Sequence, residues 1–558
     1  MSGNYSIARP ELPPGIKLDA DVYVKMRDGV KIAVDVYRPE KEGRYPGVLS
    51  TSPYIKEIQQ QPTELSHSIE AGSTQFLVPK GYVHVVAQVR GSGLSQGQFN
   101  WYDEVEQKDG AELVEWIASQ PWCNGNVGML GDSYFARTQW LIAAQRPPHL
   151  KCIVPFDGGT DEYRDSRHEG GLIRISWLAE WGFDTMLQCM WPGPVEGKLP
   201  PANLFVNYGN NPDDGPYYWE RSGWKKLDRI DVPVLSIAVA QGRTHSRGQL
   251  WSYPRIKSPK KLIVAPPLGF HANTFLRRSK AINELILKWY DHWLKGIDTG
   301  IMNGPPVAIY DTVTKQWRYE NEYPLKRTKW TKFYLRSNSE GAATKPPYGL
   351  ISQEPPTKEA PDSFMTPEQL NLLAAGKPVL AYATPPLKED LRLWGPLSIV
   401  LYGSSTTQDT AWFVKLGDVA PDGRVTLITQ GLLKASYREV DQALSSPGQP
   451  FHPFQNPVKP KPDTIYEYQI EMIPIFYTFK EGHKIWVQMA SDDFEFHGRH
   501  HTVYTYEMLP VPAKNTVFHD TAHPSHLLLP VIPDAPVIKP VEPPVSNVKW
   551  PLTPEDSI

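Results

Sequence analysis

The sequence predicts an α/β domain interrupted by a helical cap and followed by a jelly-roll β-sandwich, on three observations. An apolar run from Asn126 to Leu130 ends abruptly in Gly131-Asp132-Ser133-Tyr134-Phe135-Ala136, a small-residue turn holding one serine. On either side of it, as far as Leu294, short apolar stretches bounded by turn residues alternate with amphipathic stretches of helical period. From Pro305 the pattern changes to short alternating segments cut by Gly, Pro and Asp, the spacing of an antiparallel sandwich. A chain of 558 residues exceeds one typical core, so more than one domain is expected.

Val22 to Tyr37 alternates around Arg27-Asp28-Gly29 as a hairpin, leading into a buried strand at Gly47–Ser50 that ends in Thr51-Ser52-Pro53-Tyr54. The next strand, Val83–Val89, runs into the glycine-rich stretch Arg90–Gly97. That stretch has neither the Lys-Ser/Thr ending of a phosphate loop nor a Gly-x-Gly-x-x-Gly spacing, so it is read as structural. Glu104–Ser119 reads as a helix with Val105, Leu113, Trp116 and Ile117 on its apolar face. The serine turn is followed by a helix, Arg137–Arg146, stopped by Pro147-Pro148. Strand, tight turn and helix in that order are what a nucleophile elbow requires, with Ala136 in the place of the second glycine of Gly-x-Ser-x-Gly. The fold predicted is thus an α/β-hydrolase domain (1–159 and 231–305) with a cap (160–230) and a jelly roll with a Pro-rich tail (306–558).

Beyond the elbow, strand Leu150–Phe156 carries Asp157 at its end, and the cap follows with irregular helical patterning. It is dense in Trp177, Trp181, Phe183, Met186, Met190, Trp191, Tyr217, Tyr218 and Trp219. Most of these are expected to be cap core; Trp177, Trp181, Phe183 and Trp191 are the candidates to line a substrate pocket. Strand Val232–Val239, the loop Gln241–Gly248, strand Lys261–Ala265, a loop to Asn273 and helix Ser279–Leu294 are expected to close the α/β domain. Strands of the second domain are expected around Trp330–Leu335, Leu397–Tyr402, Ala411–Leu416, Ile465–Ile473 and His483–Ala490, with an extended tail from Leu529.

Composition narrows the partners. A net charge of -3 gives no electrostatic footprint for nucleic acid or an anionic membrane, and no apolar run approaches the roughly 20 residues of a membrane span. Cys123, Cys152 and Cys189 lack metal-ligand spacing, and His497, His500 and His501 lack an accompanying acidic or cysteine ligand, so neither metal nor other cofactor is expected. The expectation is a cytoplasmic protein acting on a small molecule, with a homodimer as the candidate assembly.

The run Glu115-Trp116-Ile117 with Gln120 to Gly128, then Gly131-Asp132-Ser133-Tyr134, Arg146-Pro147-Pro148, Asp161 to Asp165 and Gly170-Gly171 resembles the CocE/NonD serine-hydrolase family, relatives of the X-Pro dipeptidyl-peptidases. Leu433 to Arg438 resembles that family's jelly-roll signature, and the resemblance spans nearly the whole chain. It implies that Ser133 is the nucleophile and His271 its base. It also implies that the Tyr54 hydroxyl and the Tyr134 backbone N–H form the oxyanion hole. Chemically, a serine hydroxyl is a weak nucleophile until a base takes its proton, and two aimed donors stabilise the oxyanion that follows.

Two departures stand out. Gln241 occupies the place where the family carries its triad aspartate, and an amide orients a histidine without stabilising its charge. Asp157, at the neighbouring strand end, is the best substitute acid; Gln241 as a neutral orienter and Asp161 are the alternatives, and His245 competes with His271 as base. Gln88 stands where the family places an aspartate before Arg90, leaving that arginine without its usual neighbour. Three functions fit: a serine hydrolase of an ester or amide of a bulky hydrophobic or natural-product acyl group; an acyltransferase or cyclase using the same acyl-enzyme; or a catalytically impaired binding protein.

Overall fold

The computed structural model describes residues 9–174, 178–242, 244–268, 271–337, 349–366, 379–490, 512–536, 538 and 557. The first sheet is built from β1 (Ile16–Lys25), β2 (Lys31–Pro39), β3 (Tyr45–Ser52), β4 (Val83–Gln88), β5 (Cys123–Asp132), β6 (Leu150–Phe156), β7 (Val234–Val239), β8 (Lys260–Ala265), β9 (Val307–Asp311) and β10 (Gln316–Glu320). They lie side by side in the order β1-β2-β4-β3-β5-β6-β7-β8-β9-β10, and every neighbouring pair from β4 to β9 is parallel. Both faces of a parallel sheet must be covered, which is why β4, β6 and β7 read as continuous apolar runs.

Two helices, α1 (Glu104–Ser119) and α2 (Tyr134–Ala143), cover one face, burying Leu113, Val114, Ile117 and Trp140 against Val85, Met129 and Ile153. A third, α3 (Lys280–Lys295), covers the other, burying Ile282, Leu285 and Trp289 against Leu130, Val154 and Ile237. Both long helices start on a side-chain cap: Asp103 accepts from the Glu106 N–H, and Ser279 from the Ile282 N–H. Gly296 ends α3 at φ 70°, a left-handed position that suits glycine.

The α/β sheet extends beyond Pro305, where the sequence places its end. β9 adds parallel to β8, and β10 closes a hairpin on it. Alternation in β9 and β10 matches a sandwich strand as well as an edge strand; burial decides, with Ala308 packed into one core and Val307 and Ile309 into another. Residues 160–230 hold short α-helices at Phe183–Met190, Leu204–Gly209 and Pro216–Glu220 and a 3-10 segment at Gly223–Arg229.

The second domain is an 11-stranded sheet. Its strand Leu391–Ser405 pairs with both Tyr466–Phe479 and His526–Val531, which closes nine strands into a barrel-like ring. Leu529 therefore lies in a buried strand rather than in an extended tail, because Leu527 and Leu529 fill the ring's core. The Leu433–Arg438 segment is where this domain meets the cap: the Lys434 N–H donates to the Gly170 carbonyl (2.8 Å), and the Tyr437 hydroxyl bonds Asp213. The His497–His501 run lies outside the described residues.

Candidate active site

Ser133 stands between β5 and α2 at φ 56°, ψ -111°. The turn needs small residues for reasons the packing makes explicit. A Cβ on Gly131, whose φ is 143°, would lie 2.2 Å from the Phe135 Cβ. Ala136 is accommodated because its neighbour across the elbow is Gly158, where a Cβ would come within 2.3 Å of the Ala136 Cβ. The elbow is tied down by the Ser133 N–H to the Phe156 carbonyl (3.2 Å) and the Arg137 N–H to the Ser133 carbonyl (2.9 Å). Positive φ recurs at the next two strand ends, Asp157 at 42° and Gln241 at 59°. Such backbone costs on the order of 1–3 kcal/mol per non-glycine residue and clusters at functional sites.

The two residues expected as oxyanion donors pack against each other beside the elbow. Tyr54 is buried next to Tyr134, their ring centroids 5.9 Å apart. Its hydroxyl accepts the Trp181 indole N–H at 2.8 Å, so the phenol proton is left to donate elsewhere. The Tyr134 ring stacks on Tyr102 at 4.0 Å, and its hydroxyl donates to the buried Glu106 carboxyl at 3.0 Å. Of the other cap aromatics, Trp181 is buried, Trp191 is partly exposed and Phe183 is 58% exposed. Phe183 is therefore on the outside of the cap, against the expectation of a pocket role, and Trp177 lies outside the described residues.

The candidate acids and bases pair differently from the arrangement the resemblance implies. His245 Nδ1 lies 3.3 Å from Asp157 Oδ2, both side chains largely buried. Burial lowers the His245 pKa below the usual histidine value, with the Asp157 charge opposing it. The imidazole is thereby kept neutral and able to take a proton. Gln241 sits at the next strand end with a buried Nε2 that has no hydrogen-bond partner among the described residues. A Cβ on its neighbour Gly242 would lie 3.4 Å from Asp157 Oδ1. His271 is exposed, its N–H bonding the Leu268 carbonyl at 3.0 Å. No hydrogen bond joins Ser133 to a histidine among the described residues, and Asp161 turns away to cap Tyr163 and Arg164.

Glu70 was not legible as a site residue. It is buried beside the elbow, with its carboxyl facing the Ser133 hydroxyl and the Tyr134 N–H. Burial, and then the charges of Asp132 and Asp157, push its pKa well above the ordinary carboxylate range. Asp132 is raised in the same direction by burial and by Asp157. A single glutamate in the polar stretch Ser66–Ser73 carries no spacing signal; only the fold shows where it goes.

The family profile of X-Pro dipeptidyl-peptidase (S15 family) matches residues 28–268, and that of the X-Pro dipeptidyl-peptidase C-terminal non-catalytic domain matches residues 299–528. Cocaine esterase of Rhodococcus sp. (strain MB1 Bresler) is 26% identical over 95% of this chain and 100% of its own length. The chain belongs to the CocE/NonD family of serine hydrolases. A CocE/NonD family hydrolase from Staphylococcus aureus shares the fold at a TM-score of 0.82 and 22% identity, covering 95% of this chain and 100% of that one. An alpha-amino acid ester hydrolase does so at 0.70 and 19% identity, covering 95% and 99%.

In this CocE/NonD hydrolase the arginine after β4 does find carboxylates, though not the expected neighbour. Arg90 Nε reaches Asp109 Oδ2 and its Nη1 reaches Asp28 Oδ2, each at 2.7 Å. Gln88 instead accepts the Leu94 N–H at 3.0 Å and so shapes the glycine-rich loop. A Cβ on Gly93 would lie 1.7 Å from the Gln88 amide nitrogen, which is why that loop carries glycine.

Proposed function

We propose that this hydrolase cleaves an ester or amide of a bulky hydrophobic or natural-product acyl group, with Ser133 as nucleophile, His245 as base and Asp157 as the acid that replaces the missing triad aspartate. The observation that carries the assignment is the buried Asp157–His245 pair at the strand ends beside the elbow. Asp157 orients the ring and stabilises the imidazolium formed as Ser133 loses its proton. Tyr54 and the Tyr134 N–H take the oxyanion. The acyl preference is supported by Tyr54, Trp101, Tyr102 and Trp181 gathered around Tyr134.

A fluorophosphonate probe labels the wild type at Ser133 and leaves Ser133→Ala unlabelled; an unlabelled wild type sinks the acyl-enzyme and leaves a binding protein. With p-nitrophenyl acetate, His245→Ala then loses the acylation burst while His271→Ala keeps it. The reverse result returns the base to the loop after β8, with Gln241 beside it as neutral orienter. Product analysis with and without an added amine or alcohol separates hydrolysis from acyl transfer or cyclisation.

A further inference from the structure

We propose that the Glu70 side chain is a third arm of the oxyanion site, donating its carboxyl O–H to the tetrahedral intermediate on Ser133 beside the Tyr54 hydroxyl and the Tyr134 amide. This deepens the acyl-enzyme reading above and rests on it.

Placement carries the argument. The Glu70 N–H donates to the buried Gln59 Oε1 at 2.9 Å, and its carbonyl accepts the Asp132 N–H at 3.0 Å. With its backbone bonded to the strand that ends in the nucleophile, the side chain is delivered to the Ser133 hydroxyl and the Tyr134 N–H. Its Oε2 is buried and has no hydrogen-bond partner among the described residues. The nearby Glu106, by contrast, is held by the Tyr134 hydroxyl and the Tyr102 N–H. An unbonded oxygen beside the nucleophile is available to a substrate.

The protonation state follows from the surroundings. Among the described residues no lysine or arginine pairs with Glu70, Asp132 or Asp157; Asp157 has the neutral His245 imidazole beside it. Burial and then like charge favour the neutral acid at Glu70, against the hydrogen bonds that the Ser133 hydroxyl and the Tyr134 N–H offer its carboxylate in the absence of substrate. A neutral carboxyl donates to an oxyanion where a carboxylate would repel it, and a protonated acid beside a tyrosine is a workable oxyanion pair. In the step itself, Ser133 Oγ bonds to the substrate carbonyl carbon, the π pair moves onto oxygen, and the serine proton passes to the imidazole. Glu70 keeps its proton throughout, shared as a hydrogen bond. When the intermediate collapses the pair returns, the leaving-group bond breaks, and the imidazolium proton goes to the leaving atom.

The test is p-nitrophenyl ester hydrolysis by the full chain. Glu70→Ala should lower kcat by about 100-fold to 1,000-fold with little change in KM, the loss expected for one oxyanion donor. Glu70→Gln, whose amide still donates, should stay within about tenfold of the wild type. The wild-type kcat should fall on the alkaline side as Glu70 ionises, since the donor is lost and a negative charge appears; Glu70→Gln should lack that limb. A purely packing role would move the melting temperature and not the limb. If the alanine variant does not fold, the glutamine variant and its pH profile decide alone. Wild-type kcat in folded Glu70→Ala overturns the proposal, as does a glutamine variant that falls as far as alanine or keeps the alkaline limb. The acyl-enzyme reading fails separately, by an unlabelled Ser133 in the wild type.

Discussion

Among the described residues, two of the buried clusters of carboxylates are built on opposite plans. Where the cap meets both domains, each acid has an arginine. Glu162 holds Arg137 (2.8 Å) and Arg167 (2.6 Å), Arg164 bridges Asp161 (2.9 Å) and Asp214 (2.8 Å), and Arg247 bridges Asp165 (3.3 Å) and Glu471 (2.8 Å) of the second domain. At the elbow, Glu70, Asp132 and Asp157 have no arginine among the described residues, and Asp157 has His245 beside it. Burial raises carboxyl pKa values in both places. Where guanidinium groups oppose it, Asp165 is pushed up to about 7 and Asp214 to about 6; at the elbow Glu70 and Asp132 go well above the ordinary range. Burial alone therefore does not separate a structural acid from a reactive one. What separates them is whether charge is cancelled by a fixed cation or by a proton that can move.

The sharpest way to break this comparison is Asp157→Asn. If the elbow cluster is reactive, acylation should fall by about 10,000-fold, the scale seen when a triad acid becomes an amide. The melting temperature should hold or rise, because one of three crowded acids has been neutralised. Single-turnover kinetics and a thermal melt on the same sample read both quantities, and Gln241→Ala should cost little. An unchanged rate would make the elbow acids as structural as those under the cap.

The arginine network should answer in the opposite sense. Arg164 is buried, donates to the His452 carbonyl at 2.7 Å and stacks on Phe451 at 4.2 Å from the ring centroid. Arg164→Met takes from Asp214 its ion-pair partner and leaves Asp161 with Arg247 at 3.9 Å, and breaking a buried pair by removing one partner costs about 3–5 kcal/mol. Urea unfolding should show that loss, and it should shrink at acid pH as Asp214 takes up a proton. Folded variant should keep a kcat close to the wild type. A large kcat loss at full stability would place the network in the chemistry.

Much of this was legible in the sequence, and the limits are physical. The elbow is local: small residues, one serine and a strand-to-helix change lie within eleven positions, so Ser133 and its fold could be read directly. Asp157 and His245 each sit just beyond a buried strand, and parallel neighbouring strands bring such ends together. That made them candidates without deciding the pairing, which depends on the turn Gln241 makes at φ 59°. Glu70 was out of reach. Its place rests on a side chain, Gln59, folding the loop back, and on a backbone bond to Asp132 across 62 positions, neither of which leaves a pattern in composition or period. β9 and β10 failed for a related reason: alternation says that a segment is a strand and not which sheet it joins.

The smallest expected effect probes the case between the two plans. Glu106, on α1, has no cation among the described residues, like the elbow acids, yet it is hydrogen bonded like the network acids, accepting from the Tyr134 hydroxyl (3.0 and 3.1 Å) and the Tyr102 N–H (3.1 Å). Burial, and then Asp103, push its pKa up to about 8 against those two donors. The sign follows from linkage. A folded pKa raised above the unfolded one gives stability that is fully present below the unfolded value of about 4.5 and is lost as pH rises through 8. Glu106→Gln has no proton to lose, so its melting temperature should gain on the wild type between about pH 5 and pH 8, by about 3–4 °C at most in a chain of this size. Parallel curves would mean that two hydrogen bonds hold the Glu106 charge as well as an arginine does. The missing cation would then cease to explain why Glu70 and Asp132 are raised so far above the ordinary range.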